Sequence, residues 1–139
     1  MKITFLGTGT STGVPAIGCD CPVCTSDDSR DKRLRSSVLL SYSGRNVLID
    51  TTPDLRTQAL ANNIRRLDAI LFTHSHADHV FGLDDIRRFC LLQKGAVACF
   101  ASSQCAADIR RAFGYALAEN AHLQKSFCPL IDLREVSNP

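Results

Sequence analysis

The chain has 139 residues, of which 45% are hydrophobic and 22% charged, and a formal net charge of +2. That is enough to bury a core as one domain, 1–139, of ordinary globular composition. The charge is too small to argue for a nucleic-acid partner, and no apolar run approaches the ~20 residues of a membrane span, so a membrane partner is not expected.

Lys2–Gly7 reads as a first strand that begins almost at the N-terminus. Its apolar stretch is too short for a signal peptide and no cleavage-type region follows, which points to the cytoplasm. Thr8 to Ser36 then forms a long loop rich in Gly, Ser, Thr, Asp and Cys. A loop of that length needs a reason, and a bound metal would supply one. Within it, Cys19, Cys21 and Cys24 make a Cys-x-Cys-x-x-Cys cluster. Three thiolates so close can fold round one structural zinc and staple the loop. Cys90, Cys99, Cys105 and Cys128 stand alone and read as buried thiols. The total of seven cysteines is odd. It argues against a disulfide framework and for a reducing compartment. The glycine-rich turn Gly7 to Gly13 is a weak candidate for a phosphate cradle through its backbone N–H groups, and the basic run Arg30 to Arg35 could help attract an anionic phosphate ester but reads more simply as solvated surface.

Ser37–Tyr42 and Asn46–Asp50 read as a hairpin joined at Ser43-Gly44-Arg45. Pro53 suits the first position of a helix running to about Asn62, with Thr52 as its cap. A strand is expected at Leu67–Thr73, a helix at Leu83–Leu92, a strand at Ala96–Ala101 and a helix at Ser103–Gly114 capped by Ser102 or Ser103. Leu130–Val136 is a last strand. Strands separated by helices, after an early hairpin, suit an α/β (α+β) fold with a mixed sheet covered by helices on one face.

The densest chemistry follows the apolar segment Ala69-Ile70-Leu71-Phe72. Three of the chain's four histidines fall in Thr73-His74-Ser75-His76-Ala77-Asp78-His79. Neutral imidazole and carboxylate suit Zn2+ first, with Mn2+ or Fe2+ as alternatives. His74 and His76, two apart in an extended segment, point to the same side, while Asp78 and His79 follow a turn and can face a second point. Two metals roughly 3.5–4 Å apart can clamp the oxygens of a displacement. His74, His76, Asp78 and His79 are therefore the expected ligands, with Asp78 also able to accept a proton. His122 has no partner at ligand spacing and Asp132 reads as structural.

The pattern His-x-His-x-Asp-His after an apolar strand resembles the signature of the metallo-β-lactamase-fold hydrolases. Val47-Leu48-Ile49-Asp50 is similar to that family's earlier strand, and Ile3-Thr4-Phe5-Leu6-Gly7-Thr8-Gly9-Thr10 to its first strand and glycine turn. Gly13-Val14-Pro15 followed by the cysteine cluster resembles the branch that contains the cyclic-phosphate phosphodiesterases of phosphonate breakdown. The resemblance implies an αββα sandwich of which this chain looks like the first half, incomplete at the C-terminus. It implies two catalytic zincs and one structural zinc in the complete fold, with the remaining donors contributed by later segments. It also implies that Asp50 accepts a hydrogen bond from a ligating histidine and fixes its tautomer.

The leading expectation is a zinc-dependent hydrolase acting on a small (cyclic) phosphodiester through a metal-activated hydroxide. One alternative is a weakly active or inactive metal-binding fragment of such an enzyme. Another is a relative of cofactor-biosynthesis proteins that share the cysteine cluster and the run Pro53-Asp54-Leu55-Arg56. The sheet face normally covered by the second half has no evident cover, so self-association through it is expected.

Overall fold

The computed structural model describes residues 1–123 and 130–136, with side chains described for 1–120 and 130–136. The readings made for the His122 side chain and for Cys128 lie outside the described residues.

Six strands form one sheet in chain order: β1 (Lys2–Gly7), β2 (Ser37–Tyr42), β3 (Arg45–Ile49), β4 (Ala69–Leu71), β5 (Val97–Ala101) and β6 (Ile131–Glu135). β1, β2 and β3 are antiparallel, and β3 through β6 run parallel. The change follows from the connections. Ser43 and Gly44 both take positive φ, 49° and 75°, which is the conformation a tight two-residue hairpin needs. Every later strand is reached by a helix-bearing crossover, which returns the chain in the same direction.

The helices are α1 (Leu55–Ala61), α2 (Ala77–Val80), α3 (Arg87–Gln93) and α4 (Ser103–Phe113), and a 3-10 turn at Leu83–Ile86 leads into α3. α4 starts where Ser102 accepts a hydrogen bond from the Cys105 N–H at 3.4 Å. α1 starts two residues later than Pro53 suggests. Thr52 does act as an oxygen cap, but for the turn before the helix: its Oγ1 accepts from the Asp54 N–H at 3.1 Å. The Asp54 carboxylate is spent elsewhere, on the Arg35 N–H at 2.9 Å and its guanidinium at 3.0 Å. β4 is shorter than the apolar run around it. Before it, the Leu67 N–H donates to Gln93 Oε1 at 2.8 Å, and after it the Thr73 N–H donates to Asp50 Oδ1 at 2.8 Å. Side chains thus take the backbone groups that would have continued the ladder.

The core lies on one sheet face. Leu6, Leu39, Leu48, Ile70, Val97, Cys99, Ala101 and Ile131 pack with Leu55 and Ala59 of α1, Phe89 and Cys90 of α3, and Cys105, Ala106, Ile109 and Phe113 of α4. Each large side chain fully buried there contributes about 1.5–3 kcal/mol. The alternate positions face the other way and pair across strands: Phe5 with Val38, Ile3 with Leu40, Ile49 with Leu71, Leu71 with Phe100. That second face is apolar across five strands and open, with Phe5 at 69% and Ile3 at 51% exposure. It ends at β6, where Asp132 and Arg134 stand opposite Ala98 and Phe100. Arg134 lies over the Phe100 ring, 5.7 Å from its centroid.

The long loop from Thr8 to Ser36 is pinned at its base by its own backbone. Gly9 donates to the Leu34 carbonyl at 2.8 Å, and Val14 and Arg33 exchange two bonds, both at 2.8 Å. The Gly9 N–H is thereby used up, which removes much of the phosphate-cradle reading. Among the described residues, no helix is long and apolar enough to cross a membrane.

Candidate metal centre

β3 and β4 are parallel neighbours, so the segments leaving their C-terminal ends meet at one edge of the sheet. Asp50 leaves β3 and the histidine run leaves β4. The Asp50 N–H donates to the Leu71 carbonyl at 3.0 Å, and its backbone then turns into the left-handed region at φ 60°. Its carboxylate, buried at 3% exposure, accepts from the Thr73 N–H at 2.8 Å and the Thr73 hydroxyl at 2.7 Å. The same carboxylate lies 2.8 Å from His79 Nδ1. With Nδ1–H donating to the carboxylate, His79 Nε2 carries a free lone pair.

The two segments are also laced through their backbones. Thr51 N–H donates to the His79 carbonyl at 2.8 Å and Gly82 N–H donates to the Thr51 carbonyl at 2.9 Å. Gly82 permits that approach, since a Cβ there would stand 2.8 Å from the Thr52 carbonyl carbon and 3.0 Å from Leu55 Cβ.

His76 ends the extended part of the run, at φ −64° and ψ 151°, and caps α2. Asp78 and His79 therefore lie on a helical turn. The structure gathers the three imidazoles: ring centroids are 4.6 Å apart for His74 and His76 and 4.0 Å for His74 and His79. Asp78 Oδ2 lies 3.3 Å from His79 Nε2. All four donors expected from the sequence are thus adjacent, and three imidazoles with one carboxylate are a set that fits zinc. They do not converge on a single point. Among the described residues, Cys19, Cys21 and Cys24 are the group whose ligand atoms all lie within 4.8 Å of one another.

That cysteine cluster sits at the tip of the long loop. The Ala16 N–H points at Cys24 Sγ, 3.4 Å away. The Cys21 thiol is drawn down to about 7 by a hydrogen bond from the Cys24 backbone, helped by the side chains of Cys19 and Cys24. A thiol so adjusted is ready to bind a metal as thiolate. Cys90, Cys99 and Cys105 are buried, and burial pushes each thiol up. The basic run is partly structural: Arg30 pairs with Asp28 at 2.6 Å and Arg35 with Asp54 at 3.0 Å. Asp132 is held by Arg134 on β6.

Two contributors carry no local sequence signal. Thr73 belongs to the run but has no ligand chemistry, and only the fold turns it toward Asp50. Asp108, on α4, accepts a hydrogen bond from the Ser75 hydroxyl at 2.7 Å across 33 positions.

Known proteins are similar to this chain in sequence or in fold. An octanoyltransferase of Porphyromonas gingivalis is 45% identical over 137 residues, which is 98% of this chain and 27% of that protein. Coenzyme PQQ synthesis protein B of Methylobacterium radiotolerans is 34% identical over 101 residues, 63% of this chain and 34% of that protein. The crystal structure of a diphosphatase from the PhnP family is 43% identical with a TM-score of 0.83, covering 97% of this chain and 50% of that one. Zinc-bound PqqB from Methylobacterium extorquens has a TM-score of 0.75 at 22% identity, a likeness of fold over 99% of this chain and 46% of that one. The chain thus spans 27% and 34% of these two curated relatives and 50% and 46% of the two solved chains. The family described as beta-lactamase superfamily domain matches residues 45–136, through Asp50 and the entire histidine run, and this chain belongs to it.

Proposed function

We propose that this chain carries part of the catalytic centre of a zinc-dependent hydrolase that cleaves a small phosphodiester. The observation that carries the reading is the buried Asp50 carboxylate 2.8 Å from His79 Nδ1, at the end of a strand beside two further imidazoles. Zinc, when bound, supplies Lewis acidity toward a phosphoryl oxygen and acidifies water toward neutral pH. The chain's residues do the rest. Asp50, oriented by both hydrogen bonds from Thr73, holds His79 in one tautomer and one direction. His74 and His76 offer their rings from the same loop. Asp78 presents a carboxylate next to His79 Nε2, where it can bind metal and take a proton from a reacting water. His74 and His76 lie on extended chain and Asp78 and His79 on a helical turn, so the two pairs can serve two neighbouring metal positions.

The diphosphatase at 43% identity supports chemistry at phosphorus. The octanoyltransferase name belongs to a protein of which the chain matches 27%. Acyl transfer finds little support at this site, since Cys105, the thiol that feels the nearby Asp50, is buried and pushed up chiefly by that burial. The cofactor-biosynthesis alternative rested partly on Pro53-Asp54-Leu55-Arg56. Here Asp54 braces Arg35 at the base of the cysteine loop, a scaffold role that either kind of protein can share. The intact His-x-His-x-Asp-His run, His74 to His79, favours hydrolysis.

The test is zinc content per chain by elemental analysis, coupled to hydrolysis of an aryl phosphodiester on the same sample. His76→Ala and Asp78→Ala should each lose most of the zinc held at the histidines and the turnover that depends on it, because loss of one ligand in so small a set is costly. Unchanged zinc stoichiometry in both variants would overturn the assignment.

A further inference from the structure

We infer that Asp108 is a positioning residue for the histidine loop and acts through Ser75. The inference rests on the reading of that loop as a metal centre. Ser75 stands between His74 and His76, the two imidazoles carried on non-helical chain. Among the described residues, the backbone N–H groups of His74, Ser75 and His76 make no backbone hydrogen bond. The loop is anchored at its start by Thr73 on Asp50 and at its end by α2, which leaves its middle to a side chain. That side chain is Ser75, whose hydroxyl donates to Asp108 Oδ2 at 2.7 Å.

Asp108 is itself held in place. Its Oδ1 accepts from Arg111 at 2.7 Å and its Oδ2 from Gln104 at 3.4 Å, both on α4. Its side chain is 21% exposed. The hydrogen bond from Ser75, then that from Gln104, keeps the carboxyl below its ordinary range, so it is an ionised acceptor at neutral pH. A hydroxyl on a carboxylate is a strong, short bond. α4 is packed into the core through Cys105, Ala106, Ile109 and Phe113, so the bond ties the loop to a rigid element. Without it, two imidazoles must be ordered at the moment metal binds, and that ordering entropy is subtracted from affinity.

The experiment is zinc affinity of the 139-residue chain by competition with a chromophoric chelator. Asp108→Ala and Ser75→Ala should each weaken zinc at the histidine site by ~10–100-fold, the usual cost of losing a partner that orients a ligand. The double variant should lose no more than either single one, because both remove the same bond. Asp108→Asn should retain part of the affinity, since its amide oxygen can still accept from Ser75, and combining it with Arg111→Ala, which removes the donor that would face the amide NH2, should restore more of it. Thermal unfolding of the zinc-free chain, and the thiolate-to-cobalt absorption at the cysteine cluster, should stay as in the parent. Unchanged affinity in both single variants, with loss in His76→Ala, would overturn this inference alone. So would additive losses, failure of Asp108→Asn to rescue even alongside Arg111→Ala, or a zinc-free chain destabilised enough to account for the loss. If His76→Ala also loses no zinc, the metal-centre reading falls and this inference with it.

Discussion

Asp50 holds a left-handed backbone at φ 60° and a buried charge at once. Such a conformation in a residue other than glycine costs on the order of 1–3 kcal/mol, and it persists where surrounding contacts over-determine it. Here those contacts are the two bonds from Thr73 and the approach of His79. Asp50→Ala should therefore weaken zinc retention by ~10–100-fold, read by chelator competition. An affinity equal to the parent's would show that His79 is oriented by something else. Gly82 makes a different contribution, through the space it leaves for Thr52. Gly82→Ala should lower stability by ~1–3 kcal/mol, measured from urea midpoints, because a methyl group must be fitted against backbone. It should also weaken zinc binding, since Thr51 and Thr52 cannot retreat without carrying Asp50 away from His79. An unchanged midpoint would mean that the segments carrying Thr52 and Gly82 move apart at little cost.

The cysteine loop is the element with the clearest chemistry of its own. Its base is closed by backbone bonds between Gly9, Val14, Arg33 and Leu34, while its tip holds three thiols within 4.8 Å. Cys19, Cys21 and Cys24 should resist alkylation when zinc is present and react once a chelator removes it. Equal labelling of all three with and without chelator would make them ordinary free cysteines. In the metal-free chain the rate at Cys21 should rise with pH and reach half its plateau near 7, since its pKa is drawn down to about 7 and the thiolate is the reactive form. Peptide mapping of alkylated Cys21 from about pH 5.5, below its lowered pKa of about 7, to about pH 9, above the ordinary thiol value of about 8.5, checks the sign. A midpoint at the ordinary thiol value would mean the neighbouring N–H and thiols do not act on it.

At the scale of the molecule the open sheet face dominates. Ile3, Phe5, Val38, Leu40, Ile49, Leu71 and Phe100 form a surface of the kind that seeks a partner. We predict that the 139-residue chain self-associates in sedimentation velocity, and that Phe5→Lys shifts it toward monomer. We also predict that it hydrolyses an aryl phosphodiester far more slowly than a version extended by a second half-sheet carrying further donors. Misplacement by ~1 Å can cost ~100-fold in rate, and two-metal chemistry depends on a fixed separation. A monodisperse monomer with robust zinc-dependent turnover would overturn both.

Much of this protein is a local matter and was legible along the chain. Strand and helix order follows from periodicity and turn residues, because a Ser43-Gly44 turn or a Ser102 cap acts over a few positions. The four donors of the histidine run and the three cysteines are equally local, since each cluster spans only six positions. Element ends were less legible. α1 begins at Leu55 because the Asp54 carboxylate is drawn to Arg35, and β4 spans only Ala69–Leu71 because Gln93 before it and Asp50 after it bring side chains from elsewhere to the backbone. The support of the site was mixed. Asp50 came from a family resemblance, whereas its hold on Thr73, the fit of Gly82 against Thr52 and the reach of Asp108 to Ser75 depend on chain segments 23 to 33 residues apart. Spacing along the chain encodes which groups are available. Only the packing of β3, β4 and α4 against one another decides which of them touch, because hydrogen bonds act over ångströms and not over sequence.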